Sequence, residues 1–119
     1  MRYMLLYYGE EPAEQPTQED MDAEMAEWLA YDDAVKKAGV HLAGDALQPS
    51  QTATTVRVEG DERVVTDGPF ARTRAALGGF DVIDVPDLDA ALDLAARCPA
   101  AKLGSVEVRP IMELDAPPQ

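Results

Sequence analysis

The sequence has few residues that bind metals or form disulfides. Its 119 residues include one cysteine, Cys98, and one histidine, His41. A single cysteine cannot form an internal disulfide and fits a reducing cytoplasm. A structural zinc site needs a cluster of Cys and His ligands, which this chain lacks. We therefore predict a cytoplasmic protein that uses neither a metal nor an organic cofactor.

Basic residues are also scarce. Ten Lys and Arg stand against 23 Asp and Glu, which gives a net charge of −13. Such a field repels phosphate backbones and anionic membrane surfaces, so it argues against direct nucleic-acid binding and membrane docking. No apolar run reaches membrane-spanning length, and the start, MRYMLLYYGEEP, becomes acidic too early for a secretory signal. A glycine-rich phosphate loop, a GxSxG elbow and a dinucleotide fingerprint are absent as well.

What is present is the composition of a globular domain. Hydrophobic residues make up 46% and charged residues 28% of the chain, and 119 residues suit a single domain over 1–119. The abundance of alanine, and of arginine over lysine, is typical of a GC-rich bacterial genome. The last residues, 113–119, are expected to fray.

Hydrophobic periodicity predicts six strands and two helices. A helix from Thr17 to Ala38 would have a capping box at Thr17 and Asp20, and a second would begin after Pro86 with Asp87 as its cap and end at Cys98-Pro99. The predicted apolar stripe of the first helix consists of Met21, Met25, Trp28, Leu29 and Val35. The predicted strands are 2–8, 40–48, 53–58, 63–66, 78–85 and 105–111.

This order predicts an α+β, ferredoxin-like split βαβ fold with an antiparallel sheet and a β-hairpin insertion. Helices would cover one face of the sheet only, yet the first strand is apolar on both faces. A second copy of the sheet is the simplest cover for the open face. We therefore predict a homodimer whose sheets face each other around a shared cavity.

Five segments of the chain resemble the DGPF group of YCII-related proteins, over nearly the whole length and in order. The resemblance implies a dimeric α/β barrel of mostly unknown function, within a superfamily that includes muconolactone isomerase-like proteins and cofactor-free monooxygenases. It also implies an association with extracytoplasmic-function sigma factors, because many members are encoded beside them. The segments are MRYMLLYYGEE, AGDALQPSQTATTVRV, VVTDGPFA, LGGFDVIDVPDLDAALDLAARCPAA and GSVEVRPIME.

The chain departs from that group in two places. After DGPF the group tends to carry A-E-T-K-E, whereas this chain reads ARTRA, with Arg72 and Arg74 in place of a Glu and a Lys. The position after Phe80 is usually apolar in the group, and here it is Asp81. The Glu residues that the group carries after DGPF are missing here, so any role they have in the group cannot apply to this chain. Arg72 and Arg74 in this segment would favour a more anionic ligand.

His41, Asp45 and Asp67 are the candidate catalytic residues. The broader family has been discussed in terms of a His/Asp pair. On an extended strand His41 and Asp45 would point to the same face, but four strand residues place them roughly 13 Å apart, too far for a hydrogen bond. A partner for His41 would then come from Asp67 or from the other subunit. Asp45 is either a proton-transfer group facing an apolar cavity or a carboxylate that only accepts structural hydrogen bonds.

The DGPF segment, Asp67 to Phe70, has a structural explanation. An Asp side chain can accept a hydrogen bond from the backbone that follows it, Gly68 can adopt a positive φ, and the ring of Pro69 fixes its φ. These residue types in this order predict a turn. The turn would bring Phe70 to the core or to the cavity mouth. The arginines that follow either hold an anionic ligand or pair with nearby acids.

On the last strand, Glu107 and Arg109 alternate with Val106 and Val108. The valines should face the helices, which leaves the charged residues on the cavity side. There they either pair with each other or across the sheet, or bind a ligand. Asp32 falls within the apolar stripe of the first helix, where a buried capping contact is expected. The full set of ligand-binding candidates is Tyr7, Arg57, Phe70, Arg72, Arg74, Glu107 and Arg109.

Two functions remain open from the sequence. The first is a small-molecule enzyme or binder without cofactor, with lyase, isomerase or oxygenase chemistry on an organic, anionic ligand. The second is a non-catalytic regulatory or sensor module that works with a sigma factor and contacts a basic partner through its acidic surface.

Overall fold

The computed structural model describes residues 1–12, 14 and 16–114. These residues form three helices and six strands, with a short 3₁₀ turn at Ser50–Thr52. No helix in these residues is both long and apolar enough to cross a membrane. The elements are β1 Arg2–Glu10, α1 Gln18–Lys37, β2 His41–Ala46, β3 Thr54–Glu59, β4 Glu62–Asp67, β5 Ala75–Asp84, α2 Leu88–Ala96, α3 Pro99–Leu103 and β6 Ser105–Pro110.

Four strands form an antiparallel sheet in the order β2-β5-β1-β6. With β3 and β4 set aside, this is the strand order of a ferredoxin-like fold, so the predicted fold class is confirmed. The inserted strands β3 and β4 pair with each other as a separate hairpin. The predicted hairpin insertion is therefore present as well.

The core lies on one face of this sheet, under the helices. Alternate residues of β1, namely Tyr3, Leu5 and Tyr7, are buried there because successive side chains of a strand point to opposite faces. Val106 and Val108 of β6 pack against the same core, as the alternation predicted. Their neighbours Glu107 and Arg109 lie on the open face, opposite Leu6 and Met4 of β1.

Helix α1 begins where the capping box predicted. The Thr17 hydroxyl accepts a hydrogen bond from the Asp20 backbone N–H at 3.1 Å, which satisfies one of the free N–H groups of the first turn. The predicted apolar stripe is only partly right. Val35 is buried and Trp28 half-buried, but Met25 and Leu29 are exposed.

The stripe is rotated because Tyr31 packs into the core in place of Leu29. Asp32 therefore lies at the edge of the buried face. It pairs with Lys36 at 2.8 Å, one turn along the helix. The expected buried capping contact of Asp32 is wrong, and this i,i+4 ion pair takes its place.

Helix α2 is capped as predicted, since the Asp87 carboxylate accepts from the Ala90 N–H at 2.9 Å. The helix ends at Ala96, two residues before the predicted Cys98-Pro99 end. The chain then turns into α3 with Pro99 at its first position, where a missing N–H has no cost. Of the predicted frayed tail, Glu113 is held by Arg2 at 2.8 Å, and residues 115–119 lie outside the described part.

The β3–β4 hairpin projects from the rest of the molecule. The Cα radius of gyration is 16.8 Å, whereas a compact chain of this length is expected near 13.5 Å. Three valines on one face of the hairpin, Val56, Val58 and Val65, are each more than half exposed. The hairpin therefore presents three exposed valines on one face, which also carries Arg63 opposite Val58.

Candidate functional site

The Asp81 carboxylate holds two side chains on the helix-covered face of the sheet. Its Oδ2 accepts a hydrogen bond from the Tyr7 hydroxyl at 2.5 Å, and its Oδ1 lies 3.0 Å from His41 Nε2. The His41 and Asp81 side chains are 17% and 14% exposed. The acidic partner of His41 is thus Asp81 of the same chain, and neither Asp67 nor another subunit is needed to supply it.

An irregularity in β2 places His41 on this face. His41 pairs with Ile83 and Ala43 with Val82, so Leu42 is one extra residue between them. Cross-strand partners share a face, and Ile83 is buried under the helices. The bulge at Leu42 therefore turns His41 toward the helices, and it reverses the phase of the strand after it.

A glycine makes room for the carboxylate. Gly44 pairs with Asp81 across β2 and β5, and a Cβ at Gly44 would lie 1.9 Å from Asp81 Oδ1. The absence of a side chain at position 44 lets the carboxylate cross β2 and reach His41. The contact between His41 and Asp81 thus depends on Gly44, which has no side chain and takes no part in the hydrogen bond itself.

Aromatic rings surround the inner side of this network. Tyr7 and Trp28 pack edge to face with ring centroids 5.1 Å apart, and Trp28 packs likewise on Tyr31 at 6.2 Å. Burial, followed by the hydrogen bond to Asp81, raises the pKa of Tyr7 far above its usual value. Tyr7 therefore stays a neutral donor throughout the physiological range.

The outer side of the network is polar. Lys36, paired with Asp32, also experiences the charge of Asp81, and these contacts raise the pKa of its ammonium. His41 is the first residue of β2, which is an edge strand of the sheet. The imidazole therefore lies at the β2 edge of the sheet, on the side where Lys36 and Asp32 form their ion pair.

The network can orient an imidazole for proton transfer. A carboxylate only accepts hydrogen bonds, so Nε2 carries the proton in this pair and the lone pair of neutral His41 is on Nδ1. In the described residues Nδ1 has no hydrogen-bond partner. Among these same residues no group of three or more His, Cys, Asp and Glu is arranged to hold a metal ion.

Comparison with known proteins places the chain in a family. The model of the YCII-related domain matches residues 1–115. The chain belongs to the YCII-related family. A curated relative, an uncharacterised protein of Rhizobium meliloti (strain 1021), is 36% identical over 114 residues, which cover 93% of this chain and 92% of the relative. The family assignment predicted from the sequence is confirmed, and the matched relative has no assigned function.

In this YCII-related chain three predicted site residues lie on the opposite face of the sheet from His41. Asp45 pairs with Phe80, three residues along β5 from Ile83, so it points away from the helices and is exposed. Glu107 and Arg109 form a short ion pair with each other on the same open face. The expectation that His41 and Asp45 share a face is wrong, because the Leu42 bulge intervenes.

The remaining predicted residues belong to the hairpin and the turn that follows it. Gly68 has the predicted positive φ, 102°, and its N–H and C=O bond to Ala53 and to the Thr55 hydroxyl. Pro69 follows it, half-buried, and Asp67 is exposed and ends β4. Phe70 is 84% exposed rather than packed in the core.

The arginines after this turn do not converge on His41. Arg74 lies 3.7 Å from Glu10 and is exposed. The Arg72 guanidinium lies over the turn, where a Cβ at Gly68 would meet it at 3.1 Å. Arg57 lies 3.7 Å from Glu59 within β3. Tyr7 is the one predicted ligand-binding residue that the structure joins to His41.

Sequence reasoning did not assign a role to Asp81, although the pattern carried a signal. In FDVIDV, Asp81 alternates with Ile83 and Val85, both buried. A carboxylate on the buried face of a strand must find donors. Tyr7 lies on the same face and supplies one such donor. The group usually carries an apolar residue at this position, so the presence of Asp81 there was a second signal.

Proposed function

We propose that this protein binds a small organic molecule at the β2 edge and transfers a proton to or from it through His41. The observation that carries the proposal is the position of Asp81, which accepts from both Tyr7 and His41. A carboxylate that fixes one imidazole nitrogen leaves the other free to accept a proton.

In this proposal His41 is the catalytic residue, and Asp81 and Tyr7 position it. Asp81 holds the tautomer with the proton on Nε2 and stabilises the imidazolium that forms when Nδ1 takes a proton. Tyr7 donates to the other carboxylate oxygen and keeps it aimed at β2. Lys36 at the rim favours a ligand with a carboxylate or an enolisable carbonyl oxygen.

The test is a thermal-shift screen of small carboxylates and keto acids on the wild type and on His41→Gln and Asp45→Asn. Asp45 lies on the open face, so Asp45→Asn is a matched control. We expect a stabilising ligand whose turnover is lost in His41→Gln and kept in Asp45→Asn. Equal turnover by the two variants, or no stabilising compound at all, would contradict the proposal.

A homodimer through the open face is a second part of the proposal. Met4, Leu6 and Tyr8 of β1 and Phe80 of β5 point away from the helices, and the valine face of the hairpin is exposed. Apolar surfaces of this kind are usually covered by a partner. A second copy supplies the same sheet and the same hairpin, so each apolar surface finds an equivalent one.

Light scattering coupled to size exclusion tests the dimer. Val58→Thr with Val65→Thr keeps the shape of the hairpin but makes its face polar, and we expect weaker dimerisation. Arg57→Gln, on the opposite face of the hairpin, should leave the dimer intact. A folded wild-type monomer at micromolar concentration would rule out this part.

The net charge of −13 favours a further candidate function, a regulatory module that contacts a basic partner such as an extracytoplasmic-function sigma factor. Pull-down of that sigma factor separates the candidates. A regulatory module should lose binding when the exposed acids of α1 are neutralised and should keep it in His41→Gln. An enzyme should instead keep its turnover when the exposed acids of α1 are neutralised and lose it in His41→Gln.

A further inference from the structure

A second site lies on the other flank of α1, away from His41. A groove of about 290 Å³ separates α1 from the segment that joins α2 and α3. Ala30, Ala34 and Pro99 contribute its apolar walls, and Arg97 and Lys102 line the side formed by α2 and α3. The groove thus combines an apolar surface with two cations.

Four of the ten cations have no carboxylate within 4.0 Å in the described residues, and two of these four, Arg97 and Lys102, line the same groove. Of the ten Lys and Arg, Arg2, Lys36, Lys37, Arg57, Arg74 and Arg109 lie within 4.0 Å of a carboxylate in the described residues. Arg97 and Lys102 have no such partner there, although acids outnumber bases more than two to one. Two positive charges beside one groove create a local field opposite to that of the whole molecule.

The field of Arg97 reaches the wall of the groove. Tyr31 lines it, and burial raises the pKa of its phenol to about 12, while Arg97 acts in the opposite direction. The Tyr31 hydroxyl is occupied by the Leu94 carbonyl at 3.0 Å. The Tyr31 hydroxyl is therefore not available as a donor to a ligand, whereas Arg97 and Lys102 are.

We propose that this groove binds a small carboxylic acid with an apolar tail. Arg97 and Lys102 would donate to the carboxylate, and the tail would cover Ala30, Ala34 and Pro99. Hydrogen bonds to a charged carboxylate are the strongest that such side chains form. Glu27 also lines the groove, and its negative charge weakens the site without cancelling the two cations.

The test is an NMR titration of ¹⁵N-labelled protein with hexanoate at constant ionic strength. Hexanamide, which has the same tail but no charge, is the matched compound. We expect saturable shifts of amides around Ala34 and Lys102 with hexanoate and none that saturate with hexanamide. The indole of Trp28, the single tryptophan, should also shift because its ring packs on Tyr31.

Variants locate the site. Arg97→Ala and Lys102→Ala should each weaken hexanoate binding about tenfold, as expected for a lost hydrogen bond to a charge. Glu27→Gln should strengthen it. Arg63→Ala removes a cation that is equally without an acidic partner in the described residues but lies on the hairpin, so it should change nothing.

Several results would overturn the proposal. These are shifts that do not saturate, equal binding of hexanamide, a shift pattern centred on another surface, and unchanged affinity in Arg97→Ala. Weaker binding in Glu27→Gln would also count against it, because the groove would then be recognising a positive group.

Discussion

Gly44 and Asp81 face each other across β2 and β5, and a Cβ on Gly44 would stand 1.9 Å from the nearer carboxylate oxygen and 2.8 Å from the Phe80 carbonyl oxygen. The side chain of Asp81 could rotate away, but the carbonyl belongs to the backbone and cannot. The absence of a side chain at position 44 is therefore a condition for the contact between Asp81 and His41.

Gly44→Ala should separate this pair and destabilise the sheet. Overpacking at such a site costs roughly 1–3 kcal/mol of unfolding free energy, which urea denaturation would measure. The His41 imidazole resonances should shift at the same time. Gly9→Ala is the control, since nothing lies within 4 Å of a Cβ at that position; if the two variants were equally stable, the steric role of Gly44 would be wrong.

Tyr7→Phe should remove one of the two donors to Asp81 while keeping the ring that packs on Trp28. Loss of a hydrogen bond to a charged group lowers the unfolding free energy by about 2 kcal/mol. Under the proposed function, turnover should fall less than in His41→Gln, because Tyr7 acts only through Asp81. An unchanged denaturation midpoint would show that the Tyr7 bond contributes no net stability.

Cys98 predicts a loss of stability in alkali. Burial raises the pKa of its thiol from 9.0 to about 11, so the unfolded chain releases this proton at lower pH than the folded one. The stabilisation is complete below pH 9 and disappears as the pH approaches 11, a change of about 2–3 kcal/mol. Denaturation at pH 8 to 11 should show the decline, and Cys98→Ala should lessen it between pH 9 and 10 even though its stability is lower throughout. Above pH 10 the raised pKa values of Tyr7 and Tyr31 cause a further loss that the variant keeps.

The cap of α2 gives a prediction that is independent of the site. Asp87→Ala removes the acceptor for the Ala90 N–H and should cost about 1 kcal/mol. Asp93→Ala, in the same helix but away from the cap, removes the same charge and should change stability by less than half as much. Thermal melts of both variants are enough to decide.

Much of the fold could be predicted from local patterns. The alternation in β6 assigned its buried face, and the capping residues Thr17 and Asp87 located the starts of both longer helices. These features depend on neighbouring residues only. The rotation of the α1 stripe toward Tyr31 could not be predicted in the same way, because Tyr31 packs on Trp28, which in turn packs on Tyr7 from a distant strand.

The site was less accessible to sequence reasoning for a related reason. The partner of His41 is 40 residues away along the chain, and the two meet only because β2 pairs with β5 in one register. The bulge that determines the face of His41 is formed by Leu42, and neither glycine nor proline occurs at that position to indicate it in the sequence. Tyr7 and His41 were named from the sequence, whereas Asp81 became visible only with the register.

The extra residue at Leu42 divides β2 into two segments with opposite inside–outside order. Removing Leu42 would restore the regular alternation of β2. The residues on one side of the deletion would then move to the opposite face of the sheet. Asp45 would then face the helices if His41 stayed in place. In this chain the spacing between His41 and Asp45 therefore decides on which side of the sheet each side chain lies, and one insertion or deletion between them would be enough to move a chemical group from one face of the sheet to the other.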